Sequence, residues 1–275
     1  MLDQVLPYLA CPYCGGRFER VDRTLRCPAG HAFDVARQGY VNLLPGSARS
    51  GAGDTLAMVQ ARERFLASGR YAPVADAIVR AAAGSPADGC VVDIGAGTGH
   101  YLASVLGASP GHVGVALDRS KYAMRRAARA HARAGAVACD AWRHVPVRDD
   151  AASLLLNVFA PRNGAEFRRV LCDGGALVVV TPTARHLSEL VEALDLLTVD
   201  AAKDDRVAAT LDPYFGLDDR EVLDVGLRLS HAEVRDLVAM GPSAYHVEPT
   251  ALDRRVAALP EPMAVTLSVV VSTYR

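Results

Sequence analysis

From about residue 55 to the end of the chain, short apolar segments alternate with segments in which apolar residues recur every three or four positions. The apolar segments predict strands at Cys90–Ile94, His112–Leu117, Ala134–Cys139, Ser153–Phe159, Ala176–Thr181, Val225–Leu229 and Ala264–Thr273. The periodic segments predict helices at Thr98–Leu106, Ser120–Arg133, Ala165–Leu171 and Ala184–Leu196. This alternation predicts right-handed crossovers and an α/β fold with a doubly wound, mostly parallel sheet, to which the last strand can add in the antiparallel direction.

The first 45 residues lack this alternation and are instead rich in cysteine and turn-forming residues. Residues 46–54, with the sequence GSARSGAGD, are mostly small and favour a linker. We therefore predict a small N-terminal domain over residues 1–45, a linker and connecting helix over 46–70, and the main domain over 71–275. A chain of 275 residues is long enough for one large domain or two ordinary ones.

Composition and charge exclude several classes of protein. With 51% hydrophobic and 22% charged residues, most of the chain is expected to fold. The net charge of −1 excludes a uniformly basic nucleic-acid-binding surface, although it permits a local basic face. No uncharged apolar run reaches the roughly 18 residues of a membrane helix, and the first residues show no secretory signal. We therefore expect a cytoplasmic protein with no membrane partner.

Three cysteines and a histidine in the first 31 residues have the spacing of metal ligands. Cys11, Cys14, Cys27 and His31 follow the pattern C-x2-C-x12-C-x3-H. Zinc prefers four such ligands in a tetrahedron, and two closely spaced pairs can bind one ion from two turns. Four protein ligands leave no open coordination position, so the pattern predicts one structural zinc ion. The alternative is three ordinary thiols and an unrelated histidine.

A glycine-rich segment follows the strand predicted at Cys90–Ile94 and precedes a helix. It contains Asp93, Gly95, Gly97 and Gly99, and its G-x-G-x-G spacing differs from the G-x-G-x-x-G of dinucleotide-binding folds. Glycines allow the backbone to turn tightly and approach a ligand. Asp118 ends the next strand, where an acidic residue meets ribose hydroxyls. The segment therefore predicts a nucleoside-containing cofactor.

The segments DIGAGTG and LD together resemble the first two motifs of class I S-adenosylmethionine-dependent methyltransferases. This resemblance implies a seven-stranded sheet with the cofactor across the carboxyl ends of its first strands. Four longer segments, CPYC…CPAGHAFDVARQGYVNLL, MVQARERFLASGRYAPV, NVFAPRN and TPTARHLSEL, resemble the zinc-containing 23S rRNA (guanine-N1)-methyltransferases. That family includes the tylosin-resistance enzymes of actinomycetes, and NVFAPRN with VAMGPSAYH is most similar to that branch.

The resemblance implies roles for individual residues. The zinc ligands are then Cys11, Cys14, Cys27 and His31. The cofactor contacts are then Tyr71, Gly97, Thr98 and His186, with Asp93 and Asp118 in the usual class I roles. Thr98 stands where some members have Glu, and we expect its hydroxyl to cap the following helix. The implied acceptor is N1 of a guanine in a 23S rRNA hairpin near the peptide exit tunnel, with macrolide resistance as the phenotype and a homodimer as the assembly.

Several side chains have two interpretations from sequence alone. Tyr71 could stack on the cofactor or pack a helix to the core, and His186 could be an ordinary polar residue. The segment from Asn157 to Pro161 could hold the acceptor base through the Asn side chain or a backbone carbonyl, or could simply end a strand. Neither Asp140 nor His186 is compelling as the acceptor of the guanine N1 proton.

Basic residues are concentrated between Arg119 and Arg148, where eight of them accompany one acid. The spacing of four predicts that they share one face of a helix: Lys121, Arg125, Arg129 and Arg133. They could follow an RNA backbone or face solvent. Further arginines lie in the cysteine-rich segment, at Arg17, Arg20, Arg23, Arg26 and Arg37.

Three other functions fit parts of the pattern. They are a small-molecule methyltransferase of an antibiotic pathway, a nicotinamide oxidoreductase and a non-catalytic RNA-binding protein. The glycine spacing argues against the second, and the intact glycines with Asp118 argue against the third.

Overall fold

The computed structural model describes residues 1–44, 53–196, 209–245 and 248–275. The strands are β1 Glu19–Val21, β2 Thr24–Arg26, β3 Ala32–Asp34, β4 Val41–Asn42, β5 Gly89–Ile94, β6 His112–Asp118, β7 Ala134–Ala138, β8 Ala152–Val158, β9 Leu171–Pro182, β10 Leu217–Leu229 and β11 Met263–Tyr274. The helices are α1 Leu2–Val5, α2 Leu56–Ala67, α3 Ala72–Ala82, α4 His100–Ala108, α5 Lys121–Ala127, α6 Gly164–Val170, α7 Ser188–Leu194, α8 His231–Ala239 and α9 Pro249–Ala257. Most of the linker predicted at 46–54 lies outside these residues.

The main sheet has the order β10-β11-β9-β8-β5-β6-β7-β4. Strands β4 to β9 pair in parallel, and β11 runs antiparallel to both β9 and β10. The strand order reverses beside β5, which places the carboxyl ends of β5 and β8 at a topological switch point where ligands bind in such sheets. The predicted α/β class and mostly parallel sheet are confirmed.

The sheet has eight strands, whereas seven were expected. The additional strand is β4, whose residues Val41 and Asn42 pair in parallel with Val137 and Ala138 of β7. The reason is local: an uncovered β7 would leave a row of unpaired backbone groups at the edge of the sheet. The N-terminal segment runs along this edge and pairs with it, so its end is part of the main sheet.

Side chains of the central strands point alternately into two apolar layers. Val91 of β5 belongs to the layer under α2, α3 and α4, while its neighbour Val92 belongs to the opposite layer. Both faces are buried, which explains why these strands are continuous apolar runs. Residues 1–10 cover part of the second face, and Gly135 of β7 lacks a side chain where Val5 packs.

Two predicted helices have different ends in the structure. The helix expected over Ser120–Arg133 ends at Ala127, so the basic residues do not share one helical face. Ser120 caps its start by accepting from the Ala123 N–H. The helix expected from Thr98 begins at His100 behind Gly99, which has a left-handed φ of 80° and no side-chain cap. The prediction that Thr98 caps this helix is therefore wrong. No helix in the described ranges has both the length and the apolarity to cross a bilayer.

Candidate functional site

The four predicted metal ligands meet at one point. Their ligand atoms, three Sγ and one His Nδ1, all lie within 4.8 Å of one another. His31 Nδ1 is 3.5 Å from Cys11 Sγ and 3.4 Å from Cys27 Sγ, and Cys14 Sγ is 3.5 Å from Cys27 Sγ. A tetrahedron of bonds of about 2.0–2.3 Å has edges close to these distances. The donor set therefore fits one zinc ion with no position left for a substrate.

Two turns shape this cluster. After Cys11, the Gly15 N–H donates to the Cys11 carbonyl, and after Cys27 the Gly30 N–H donates to the Cys27 carbonyl. Both glycines have positive φ, 68° and 84°. Between the turns lies the small antiparallel sheet β1-β2-β3. It buries few large side chains, so a metal ion is expected to supply much of its stability.

The carboxyl ends of the parallel strands surround a cavity of about 800 Å³. This volume is typical of sites for small-molecule ligands. Its lining includes every predicted cofactor residue except Gly99, which forms the N-terminal cap of α4 behind the turn. The lining residues among the predicted set are Tyr71, Asp93, Gly95, Gly97, Thr98, Asp118 and His186.

The glycine turn is fastened to the end of β6. The N–H groups of Gly95 and Ala96 both donate to the Leu117 carbonyl, and the Gly97 N–H donates to Asp118 Oδ2 at 2.9 Å. The Ser120 N–H donates to the other oxygen, Oδ1, at 2.8 Å. Each carboxylate oxygen keeps a second lone pair. Asp118 can therefore hold the turn and still accept hydrogen bonds from a ligand's hydroxyl groups.

Asp93 lies at the floor of the cavity with one oxygen unsatisfied. The residue is 1% exposed, and its Oδ2 has no hydrogen-bond partner among the described atoms. Burial, reinforced by the negative charge of Asp118, raises the pKa of the Asp93 carboxyl from 3.8 to about 7. A buried, unpaired acceptor of this kind is expected to receive a donor from a ligand, and a positively charged donor best restores its ionised form.

A cation that the sequence did not single out lies across the turn. Arg62 of α2 forms an ion pair with Asp54 and donates to the Met240 carbonyl, and both acidic and basic side chains line the cavity. A side chain placed on Gly97 would lie within 3.4 Å of the Arg62 guanidinium. Arg62 becomes part of the site only through the packing of α2 beside the turn. No local motif in the sequence could therefore have identified it as a cavity residue.

Three aromatic rings form the opposite wall. Tyr71 and His186 were predicted as cofactor contacts, and Tyr71 Oη lies 3.4 Å from His186 Nε2. Tyr71 also packs edge-on against Phe65 at 5.0 Å, which supports the interpretation that it packs a helix to the core. The ring of Phe159 lies 6.0 Å from that of His186 at an interplanar angle of 33°. Phe159 was not singled out from the sequence, and only its position after β8 could have indicated it.

The segment after β8 is shaped by a strained residue. Phe159 has a φ of 53°, which is unusual for a residue with a side chain, and it is 39% exposed at the cavity. Asn157 has no exposed surface and donates from Nδ2 to the Pro161 carbonyl at 2.8 Å. Asn157 is not among the lining residues. It therefore shapes the loop from behind, while Phe159 and Pro161 face the cavity.

The predicted basic face is divided between several roles. Arg133 donates to the carbonyls of Leu106, Ser109, Pro110 and His112, so it caps the end of α4. Arg119 pairs with Asp140, and Arg126 pairs with Glu63. In the N-terminal segment Arg20 pairs with Asp3. Arg17, Arg26 and Arg37 are exposed, and no acidic partner is found for them within the described ranges.

Comparison with known proteins gives matches over both parts of the chain. Residues 9–50 match the zinc-ribbon family described as "RlmA, N-terminal". The chain is 53% identical to a protein of Micromonospora griseorubida named as a 23S rRNA (guanine-N(1)-)-methyltransferase, with coverage of 100% of this chain and 99% of the relative. It is 51% identical to the 23S rRNA (guanine(748)-N(1))-methyltransferase of Streptomyces fradiae, with the same coverage of both chains.

Among solved structures, a methyltransferase from an antibiotic biosynthesis pathway of Anabaena variabilis superposes with a TM-score of 0.53. The match covers 74% of this chain and 96% of the other, at 15% identity. At that identity the likeness concerns the fold alone, which is the class I methyltransferase fold.

Proposed function

Since the chain belongs to the family of 23S rRNA (guanine-N1)-methyltransferases, we propose that it transfers a methyl group from S-adenosylmethionine to N1 of a guanine in 23S rRNA. The observation that carries the proposal is the cavity at the carboxyl ends of β5, β6 and β8. It joins a cofactor-type glycine turn to an exposed aromatic side chain, Phe159, within one cavity.

The described residues fit S-adenosylmethionine by their chemistry. Asp93 offers an unsatisfied carboxylate oxygen to the ammonium group of the methionine part, and Arg62 offers a cation to its carboxylate. Asp118 accepts hydrogen bonds from the ribose hydroxyls. When bound, S-adenosylmethionine supplies a methyl group on a positively charged sulfur. Tyr71, Thr98 and His186 complete the proposed cofactor contacts.

We place the guanine beside Phe159. The left-handed conformation at this residue turns its ring toward His186, where a planar base can stack. Asn157 fixes the loop by its bond to the Pro161 carbonyl. The protein then accelerates transfer by aligning the base with the methyl group and excluding water, since no protein nucleophile is needed.

His186 is poorly suited to take the N1 proton. Its Nδ1 accepts from the Ser268 N–H at 3.3 Å, so in the neutral ring the proton lies on Nε2, which faces Tyr71. Asp140 is not a lining residue and pairs with Arg119. The lining carboxylates in the described ranges, Asp54, Asp93 and Asp118, gather near the glycine turn. We therefore propose that water at the open end of the cavity accepts the guanine N1 proton.

The resemblance to the family supports the remaining parts of the proposal. Residues 1–45 act as a zinc-binding domain with one structural zinc on Cys11, Cys14, Cys27 and His31. Residues 46–70 connect it to the methyltransferase domain at 71–275. The enzyme works in the cytoplasm, as a homodimer, and confers resistance to tylosin-type macrolides. Light scattering of the purified protein tests the dimer, and drug sensitivity of an expressing strain tests the phenotype.

The decisive experiment incubates the enzyme, tritiated S-adenosylmethionine and 23S rRNA from a macrolide-sensitive strain. We expect label in the RNA and a stop of reverse transcription at a guanine, because a methyl group on N1 blocks base pairing. Label in a small molecule or in protein, with none in RNA, would contradict the proposal. A small-molecule methyltransferase is not favoured by either relative, since both are named for 23S rRNA.

A further inference from the structure

Trp142 is the only tryptophan of the chain and the most exposed large apolar side chain among those described, at 63%. It lies in the loop of residues 139–148 that follows β7. Within the described ranges no ring or cation packs against its indole. A large ring held in water without a partner is unusual unless a partner binds there.

Hydrogen bonds tie the loop that carries Trp142 to two segments whose residues line the cavity. At its start, the Cys139 N–H donates to the carbonyl of Asp118, which lines the cavity. Asn163 Nδ2 donates to the Trp142 carbonyl at 3.1 Å, and Asn163 follows Pro161 of the cavity wall by two residues. The Trp142 N–H donates to Asp140 Oδ1 at 3.3 Å. Both backbone groups of Trp142 are therefore held, and only its ring projects outward.

The far end of the loop reaches the base of the zinc-binding segment. The Ala10 N–H donates to the Pro146 carbonyl, and the Arg148 N–H donates to the Tyr8 carbonyl. Cys11, the first zinc ligand, follows directly. The loop with Trp142 thus links the cavity to the zinc-binding segment.

An ion pair on α6 makes the loop rigid. Glu166 accepts from the Val145 N–H at 2.8 Å and pairs with Arg169, which also donates to the carbonyls of Val145 and Val147. His144 Nδ1 lies 3.0 Å from Glu166 Oε2. A loop fixed in this way holds the backbone of Trp142 in place, which lowers the entropic cost of binding.

The charge around Trp142 indicates what covers it. Arg143, the next residue, is exposed, and no acidic partner is found for it in the described parts of the chain. Arg119 and Arg126 of the same basic stretch are already paired with Asp140 and Glu63. Exposed aromatic rings among cations are the arrangement with which proteins stack unpaired bases while holding the phosphates.

We propose that Trp142 stacks on an unpaired base of the 23S rRNA hairpin next to the guanine that enters the cavity, and so fixes the target loop for methylation. This inference rests on the proposed function. It adds an RNA-binding residue that holds a second nucleotide outside the cavity.

The single tryptophan makes the test direct, because all indole fluorescence comes from Trp142. The probe is the 23S rRNA hairpin containing the guanine that the Streptomyces fradiae relative is named for. Titration with this hairpin is expected to quench the emission, with saturation at the concentration where binding saturates. S-adenosylhomocysteine alone and a blunt duplex of equal length should leave most of the emission.

Variants give an independent measurement. Trp142→Ala is expected to raise the KM for the hairpin by about 5- to 150-fold, the range of one base–aromatic stack, with unchanged affinity for S-adenosylhomocysteine. Trp142→Phe keeps a ring and should recover most of the loss. Val222→Ala, at another exposed apolar position on β10, is the matched control and should behave as wild type.

The outcomes separate the two hypotheses. If the wild type methylates the hairpin but emission is unchanged and Trp142→Ala keeps its KM, the stacking inference is wrong and the proposed function stands. If the wild type methylates no RNA, the proposed function itself fails. Should Trp142→Ala misfold, as its melting temperature would show, the fluorescence of the wild type decides alone.

Discussion

At the scale of single residues, the most informative group is the buried carboxyl of Asp93. Burial and the charge of Asp118 raise its pKa to about 7. Between pH 3.8 and about 7, the folded protein therefore keeps a proton on this carboxyl that the unfolded chain has lost. The free energy of unfolding therefore falls as the pH rises from 3.8 to about 7. Only the ionised form can pair with the ammonium of S-adenosylmethionine, which is protonated below pH 7.5.

We therefore predict that affinity for S-adenosylmethionine increases by about five- to sixfold between pH 6 and pH 7.5, because the ionised fraction of Asp93 rises about eightfold while that of the ligand's ammonium falls by about a third. Isothermal titration calorimetry at both pH values measures this change. Asp93→Asn should bind S-adenosylmethionine more weakly, and its affinity should change little with pH. Without ligand, its free energy of unfolding should fall less than that of the wild type over the same pH interval. Equal pH dependence in the variant and the wild type would assign the titration to another group.

Arg133 is predicted to stabilise the fold rather than bind RNA. Its guanidinium donates to four carbonyls between Leu106 and His112, so Arg133→Ala leaves several of them without a charged donor. We expect a loss of about 2–3 kcal/mol in the free energy of unfolding, measured by urea denaturation. Arg129→Ala, an exposed neighbour with the same change of charge, should cost less than about 0.5 kcal/mol. Equal losses would argue against the cap.

At the scale of elements, the three strands β1 to β3 depend on the metal, whereas β4 and α1 belong to the main sheet. Cys14→Ala removes one zinc ligand, and we expect β1 to β3 to lose their order while Val5 and Val41 stay packed. Affinity for S-adenosylhomocysteine should change little, and the dissociation constant for the rRNA hairpin should rise by about tenfold or more. Hydrogen exchange measures the loss of order in β1 to β3, and calorimetry measures the affinities for S-adenosylhomocysteine and for the rRNA hairpin.

Val222→Ala, an exposed substitution on β10, serves as the control for this experiment because it leaves the zinc ligands intact. If Cys14→Ala loses S-adenosylhomocysteine binding along with zinc, the two parts of the chain fold as one unit. Val41 pairing with Val137 in the main sheet is the contact through which such coupling would pass.

The element pattern predicted the central strands well and the helix ends poorly. Strands β5, β6 and β8 are apolar runs that no surface helix would show, so their positions follow from burial alone. β4 has only two residues, and nothing in Val41–Asn42 distinguishes it from a loop until β7 offers an edge. The helix expected to Arg133 ends at Ala127, and Arg133 instead donates to carbonyls at the end of α4.

At the scale of the whole molecule, the site joins segments that are far apart in sequence. The glycine turn and Asp118 were predictable because a local motif defines them, and the zinc ligands because their spacing does. Arg62 of α2 and Met240, after α8, reach the same cavity only through tertiary packing. The segment from Asn157 to Pro161 was considered for the acceptor base, but the Phe159 ring was not. Its exposure at the cavity depends on a backbone φ of 53°, which no residue pattern predicts.

The net charge of −1 means that attraction to RNA must come from a local surface. Arg17, Arg26 and Arg37 of the zinc-binding segment are exposed, with no acidic partner found in the described parts of the chain, so they are available to phosphates. Replacing all three by Ala is expected to reduce the slope of log K against log salt by about 2–3 units, roughly 0.7–0.9 per phosphate contact. Filter binding of the rRNA hairpin at several salt concentrations measures the slope.

The matched control replaces Arg80, Arg185 and Arg235, which are paired with Glu221, Asp224 and Asp253. This change alters the net charge equally but removes arginines already neutralised by a neighbour. If both triple variants reduce the slope to the same extent, the RNA responds to total charge and the zinc-binding segment has no special contact with it. A reduction confined to the first variant would place the phosphate backbone on that segment, because counterion release depends on contacts rather than on overall charge.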